Sequence, residues 1–521
     1  MSRRSLIRIG YTAIAVLVIV GVSVVVRAGI YSGTITAANA KSRRITVESS
    51  NGQSKSFRVP DSAELTIDDE QSELASVTAG QRASVYYDAS GAVTRVRIRT
   101  PQDPPPAGES ASKKPAPRDD APATGAGGQQ SALPGWPQFL GPGRDNRSGD
   151  AGLMDAWPTG GPPLALRADG LGTGYSSVSL GDGKIFTMGA AADESVIALD
   201  AQTGETVWQT PIGQKRPDGM GGGPRGTPTV DDDRVYALGA NGDLACLAID
   251  DGRLLWSTNI LEQFGGGNIQ WGISESVLID GDHLICTPGG RQATMAALDK
   301  HSGDVVWRAR APDSPAAAYA STIVVEVKGV RQYVNFTHTS VIGVRADNGD
   351  FLWSNAASAN GTANCSSPVS MGDHIFSSSG YGQGCALVKI TGRRGRAGAD
   401  LVYANKVMQN HHGGLVRDGE FIYGADQGVL KCLKMIDGKV MWQDRSVGKG
   451  AVVYADGKIF LRSEQGPLAM VAATPDEYRE LGRFDQPDRS GQSAWARPVV
   501  ADGRLYLRDQ ELLLVYDLRG E

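Results

Sequence analysis

The side chains best suited to chemistry recur at one offset in this chain. Eight acidic residues, Asp182, Asp232, Asp282, Glu326, Asp373, Asp418, Asp456 and Asp502, each adjoin a tight turn into a short alternating run with apolar residues (KIF, RVY and their relatives). Seven residues before these markers stand Tyr175, Arg225, Glu275, Tyr319, Ser366, His411, Lys449 and Trp495, with Asn364, His412 and Arg497 one or two residues away from that position. A core position of a sheet collects Val, Ile or Ala. This one collects charges of both signs, an imidazole and three aromatic rings. Arg225, Lys449 and Arg497 are suited to carboxylates, and Tyr175 or Trp495 to stacking on a planar group. The chemistry is recognition of a small anionic or planar ligand, weighed against a merely hydrophilic lining. The vicinal pair His411–His412 assigns no metal, because adjacent residues of a strand face opposite sides. A hydrogen bond from one imidazole to Glu275 or an asparagine is the expected use.

The elements that position these residues repeat. Successive markers lie 50, 50, 44, 47, 45, 38 and 46 residues apart. A period of that length, in a chain with 67 glycines and β-branched runs rather than helix pairs, predicts an eight-bladed β-propeller. A second phrase keeps step. Gly204, Gly252, Gly303, Gly349 and Gly438 each precede a tryptophan by four residues: Trp208, Trp256, Trp307, Trp353 and Trp442. These tryptophans are expected in the outermost strands, filling space between blades and donating their indole N–H groups to backbone there. In the fifth repeat Gly398 precedes Val402, so the turn is expected without its tryptophan. The seventh copy, TPDEYRELGRF, has lost the phrase, and no eighth follows LLLVYDL. Leu164–Arg167 is expected to complete the last blade and close the ring.

ALDAQTGETVW and its relatives resemble the tryptophan-docking repeat of the PQQ-like propellers, a superfamily holding quinoprotein alcohol dehydrogenases and BamB-type lipoproteins. WPQFLGPGRDNRSG at Trp136, GTGYSS at Gly172, ANGTANCSSP at Ala359 and MQNHHGG at Met408 resemble a group of bacterial PQQ-like repeat proteins. The resemblance spans roughly residues 133–521. It implies that the segment before each hairpin is the innermost strand, so the eleven side chains above would line a central funnel. For a quinoprotein it implies pyrroloquinoline quinone with calcium, an acidic base and a disulfide of adjacent cysteines. No two cysteines are adjacent here and no Cys-x-x-Cys-His occurs. Glu275 is the candidate base and Asn364 the candidate calcium ligand, neither within a matching motif. The reading favoured is a binding or scaffolding platform, with a quinoprotein-type oxidoreductase as its alternative.

Outside the repeats the chain changes character. Arg3, Arg4 and Arg8 precede an uncharged run from Ile9 to Val26, which predicts a retained signal anchor in residues 1–28. The basic flank keeps the N-terminus in the cytoplasm and sends the rest across the inner membrane. No cysteine follows for lipid attachment. Residues 30–100 read as six short strands of a small SH3- or OB-like β module. Residues 101–134, rich in proline and without aromatic residues, read as a disordered tether. A net charge of −5 gives nucleic acid no electrostatic footprint; other envelope proteins are the expected partners. They would be met through the rim loops 219–226 and 264–271. The five cysteines are expected as free thiols, with Cys246, Cys385 and Cys432 at one repeat position and Cys365–Cys385 the one pair worth testing for a bridge.

Overall fold

The computed structural model describes residues 29–48, 54–67, 70–87, 92–99, 135–393 and 396–520. The expected anchor (1–28) and tether (101–134) lie outside the described residues, as do Asn51-Gly52 and Ser90-Gly91, whose dipeptides predict hairpin turns of the small β module. Among those described, no helix is long and apolar enough to cross a membrane. The described residues fall into two compact units, residues 29–99 and residues 135–520.

The first unit is one sheet of seven strands, β1 (Gly29–Asn39), β2 (Arg44–Glu48), β3 (Ser54–Arg58), β4 (Glu64–Ile67), β5 (Glu70–Gln71), β6 (Arg82–Tyr87) and β7 (Val93–Arg99), in the order β3-β2-β1-β6-β7-β4-β5. The two-residue β5 is the strand that sequence pattern did not separate. Alternation places Ile45, Val47, Val85, Val96 and Ile98 on one buried side, as a half-buried sheet requires. β4 runs parallel to β7.

The second unit consists of eight four-stranded antiparallel sheets. They span residues 179–214, 229–259, 278–309, 323–355, 369–405, 410–444 and 450–484, with the eighth formed by 499–517 and Leu164–Ala168. Leu513, Leu514 and Val515 pair with Ala168, Arg167 and Leu166. The strand from before the first hairpin thus completes the last sheet as its fourth strand.

The glycine-to-tryptophan spacing has a steric cause. A Cβ on Gly252 would stand 2.5 Å from the Trp208 ring, one on Gly303 2.8 Å from Trp256, and one on Gly349 2.5 Å from Trp307. In these three repeats the glycine makes room for the tryptophan of the sheet before it, whereas Gly204 faces Leu166 of the last sheet. The indoles of Trp208, Trp256 and Trp442 donate across the seam to Ile249, Lys300 and Thr474 carbonyls at 3.0, 3.0 and 2.7 Å. Trp353 donates instead to Gln332 Oε1 of its own sheet, and the buried Trp307 indole nitrogen has no partner among the described residues. The defective repeats use substitutes. Gly398 is no turn residue; it pairs with Thr391 inside a long hairpin, and Tyr403 takes the tryptophan's place against Gly438, donating its hydroxyl to Met435 O at 2.7 Å. Trp157 packs over Gly482 of the seventh sheet. Because Cys385 pairs with Asn405 whereas Cys246 and Cys432 pair with Trp256 and Trp442, it lies two residues off their common position. All five cysteines are free thiols.

The stretch 136–154 crosses the inner strands as a strap. Leu180 and Val230 donate backbone N–H groups to Trp136 and Pro137, and Ser148 donates to Tyr454 O. Arg144 donates to Val277 O at 2.9 Å, Ser276 O at 2.6 Å and Gln138 Oε1 at 3.1 Å. Asn146 donates to Val452 O, and Arg147 to Arg417 O at 2.6 Å and Asp418 at 2.9 Å. With Asp150 accepting from Gly503 N–H of the eighth sheet at 2.8 Å, six sheets are tied by this one segment, the part of the chain carrying the WPQFLGPGRDNRSG motif.

Candidate ligand cavity

Two residues before the innermost strand of five sheets sits a hydroxyl: Ser177, Thr227, Ser276, Ser321 and Ser367. These hydroxyls stitch the sheets around the axis. Backbone N–H groups of Ser177, Thr227, Ser276 and Ser321 donate to Thr227, Ser276, Ser321 and Ser367 oxygens at 3.1, 2.9, 2.9 and 3.1 Å. The serines beside the predicted funnel positions are therefore structural. In the eighth sheet the same position is Arg497.

Side chains two residues earlier share a face with this ring, and they line a cavity of about 400 Å³: Tyr175, Arg225, Ser274, Tyr319, Cys365 and Trp495. His411, His412, Lys449, Glu464 and Arg497 complete its polar wall, with Phe139, Trp271 and Tyr381 adding rings. Volume and lining suit a small organic ligand. Eight of the eleven predicted side chains meet here.

Glu275, Asn364 and Ser366 do not. In the first, second, seventh and eighth sheets the acidic marker is the first turn residue, as Asp182, Asp232, Asp456 and Asp502 show by their positive φ. In the third and fifth sheets that place belongs to Gly281 and Gly372 (φ 61° and 57°), and Asp282 and Asp373 come second. Counting back seven then errs by one, which in an extended chain reverses the side chain. Ser274 and Cys365 hold the cavity positions instead. Alignment on the hydroxyl ring was the signal that finds them.

Glu275 is buried between the third and fourth sheets. Its carboxylate accepts from Thr287 N (2.6 Å), Thr287 Oγ1 (2.9 Å), Thr322 Oγ1 (3.0 Å) and Asn335 Nδ2 (3.2 Å). Burial pushes its pKa up to about 7 against those hydrogen bonds and the charge of Arg144. Asn364 braces a loop through Thr337 O and His338 O at 3.0 and 2.9 Å. Ser366 donates to Asn410 Oδ1.

The two histidines share the cavity side, contrary to the strand rule. Asn410 pairs with Asp426 and Leu415 with Gly424, so five steps on one strand face two on its partner, and His411–Gly414 bulges inward. The imidazole centroids lie 3.6 Å apart with planes at 30°. Neither ring reaches Glu275 or an asparagine. Lys449 Nζ donates to His411 Nδ1 at 2.9 Å and to Glu464 Oε1 at 3.1 Å, and His412 Nδ1 lies 3.2 Å from the same oxygen. Burial, then the neighbouring His412 and Lys449, lowers the His411 pKa to about 3; burial also lowers that of His412. Against the upward push of burial, His412 and Lys449 hold Glu464 below the usual carboxylate range. The ring proton of neutral His411 is then at Nε2, which is buried without a partner among the described residues.

Arg225 is paired with the buried Asp218 at 3.1 Å and lies over Tyr175, 5.4 Å from the ring centroid. The Tyr175 hydroxyl donates to Met220 O at 2.7 Å, and Trp495 packs 4.8 Å from Tyr175 and 4.6 Å from His412 between centroids. Met220 and Trp271 bring the two predicted rim loops to this cavity. Arg497 differs from every other cation in the wall. It is 8% exposed and has no carboxylate partner among the described residues. It donates to Gly413 O at a long 3.3 Å and lies 5.1 Å over the Phe139 ring. Burial lowers its pKa to about 10. Gly414 (φ 67°) makes room for it, since a Cβ there would stand 1.5 Å from Nη1.

A family model described as outer membrane protein assembly factor BamB matches residues 192–444. Among solved structures, the quinohemoprotein alcohol dehydrogenase from Comamonas testosteroni is similar at 13% identity, covering 74% of this chain and 81% of that one with a TM-score of 0.53. BamB from Moraxella catarrhalis is similar at 13% identity over 66% of this chain and 96% of that one, with a TM-score of 0.47. No curated protein matches the chain significantly. Taken with the repeated four-stranded sheets, the family-model match and the likeness to the Comamonas testosteroni enzyme identify the fold as a β-propeller. The chain therefore has the fold of these proteins, and its residues 192–444 resemble the BamB family model.

Proposed function

We propose that this protein is an extracytoplasmic binding or scaffolding platform, held to the inner membrane by residues 1–28. Its eight sheets form the blades of one closed ring, and its central cavity takes a small planar anion. The observation that carries the ligand reading is Arg497. A buried guanidinium without a counter-ion is costly, and here it stands in the wall of an aromatic-lined cavity beside Lys449 and Trp495. A carboxylate entering there would gain charge-assisted hydrogen bonds while Trp495 and Tyr175 flank its plane. The tether 101–134 would let the platform reach other envelope proteins.

The quinoprotein alternative meets the donor set unevenly. The quinone is a planar anion and suits Arg497, Lys449 and Trp495. Calcium needs six to eight oxygen ligands, whereas Glu464 is the cavity's lining carboxylate and is already engaged by His412 and Lys449. Glu275 and Asn364, the base and calcium ligand expected of that chemistry, are committed elsewhere. The residues do not fit calcium, and no oxidation step follows from them. Titrating the purified chain with pyrroloquinoline quinone, with and without calcium, while following tryptophan fluorescence and dye-linked alcohol oxidation separates the readings. Binding without turnover, lost at least tenfold in Arg497→Gln, supports the platform. Calcium-dependent turnover would replace it with the dehydrogenase.

A further inference from the structure

Cys365, His411 and His412 present one ligating atom each, a sulfur and two ring nitrogens, all within 4.8 Å of one another. Bonds of about 2.0–2.3 Å to a trigonal ion put its ligand atoms roughly 3.5–4 Å apart, so about 1 Å of closure completes the set. The donors are ready for it. Cys365 is a free thiol. Glu464 engages His412 at Nδ1, the carboxylate partner that usually orients a metal-binding imidazole, and leaves its Nε2 for a ligand; His411 meets Lys449 at Nδ1 and frees its own Nε2 by moving the ring proton. His411 Nε2 is buried with nothing to bond among the described residues, a cost that a ligand at that atom would remove.

Charge selects the ion. Glu464 answers Lys449 and Asp218 answers Arg225, while Arg497 has no counter-ion. A divalent ion on one thiolate would add net positive charge beside that guanidinium; a monovalent ion would add none. Thiolate and imidazole are ligands for soft copper(I). We infer that Cys365, His411 and His412 form a site for a single soft monovalent metal ion, copper(I). The rings stand 30° apart, so Cys365 and His411 make the first two bonds and His412 adds a third when its ring turns. Binding breaks the Cys365 S–H bond and sends that proton to solvent. The His411 proton moves from Nε2 to Nδ1, and Lys449 turns wholly to Glu464, which it already touches. No electron is transferred.

The test uses the full chain, reduced and anaerobic, without any organic anion, so that it stands apart from the ligand reading above. Copper(I) is supplied as its bicinchoninate complex, and its transfer is read from the loss of that complex's colour. One equivalent should move to the wild type. Cys365→Ser should weaken transfer at least 100-fold and His411→Gln at least tenfold, while Cys385→Ser, a buried thiol bonded to Asn405, keeps the full equivalent. X-ray absorption on the loaded wild type should show one sulfur and one or two nitrogen scatterers, which guards against a Cys365→Ser chain that fails to fold. No transfer to the wild type, transfer unaffected by Cys365→Ser, a nitrogen-only shell, or zinc(II) bound more tightly than copper(I) would each overturn the site.

Discussion

Arg144 in the strap and Arg497 in the cavity are both buried guanidiniums whose pKa burial lowers to about 10. Their surroundings differ. Arg144 makes three hydrogen bonds of 2.6–3.1 Å to neighbouring oxygens and has the nearby charge of Glu275. Arg497 has one long bond and an aromatic face. Arg462 and Arg508, equally buried, resemble Arg144: Arg462 reaches Ala496 O, Arg508 O and Gln486, and Arg508 reaches Thr187, Leu171 O and Gly172 O among others. Burial alone therefore does not mark a binding residue in this propeller. Satisfaction does. A buried cation held by several short hydrogen bonds belongs to the frame, even though Arg144 Nε and Arg462 Nε have no partner among the described residues; one held by a single long bond belongs to the cavity.

This contrast can be broken by substitution, and the strap should give the larger effect. Arg144→Met removes three hydrogen bonds and the charge facing Glu275, so it should cost roughly 3–5 kcal/mol in denaturant unfolding. Arg497→Met should be neutral or stabilising by up to roughly 2 kcal/mol. Equal losses at both positions would show that the two arginines do the same job.

Glu275 supplies the next effect. Its folded pKa, about 7, lies above the unfolded carboxylate value, so its contribution is complete below about pH 4.5 and is lost as pH rises through 7. Glu275→Gln should flatten that part of the stability–pH curve, by roughly 3 kcal/mol across the window. An unchanged curve would mean that the carboxylate is charged throughout. The smallest effect is expected at the seams. Trp208→Phe loses an indole bond to Ile249 O, whereas Trp307→Phe loses none, so the first should cost about 1 kcal/mol more than the second by thermal unfolding.

The periodic features were legible in sequence because they are steric. Gly252 and Gly303 must be small to seat Trp208 and Trp256, and Leu164–Arg167 had no other sheet to join. The cavity was legible in eight of eleven residues because alternation carries a face forward reliably from a correct reference point. It failed at Glu275, Ser366 and Asn364, where the acidic residue sits second in the turn. Position along a strand is exact to the residue, while an Asp in a turn has two acceptable places. The inward bulge at His411–Gly414 was hidden for another reason: the extra residues oppose a partner strand that sequence does not identify. Tyr381 and Glu464 come from loops between later strands, where no periodic signal reaches.

The central claim, that Arg497 is held ready for an anion, is tested most directly by an equilibrium titration of the purified chain with a planar carboxylate, pyrroloquinoline quinone, followed by tryptophan fluorescence in wild type and Arg497→Gln at matched stability. Saturable binding in the wild type, weakened at least tenfold in the variant and reduced by added salt, is the predicted result. Equal affinity in both chains, or no saturable binding in either, would contradict it.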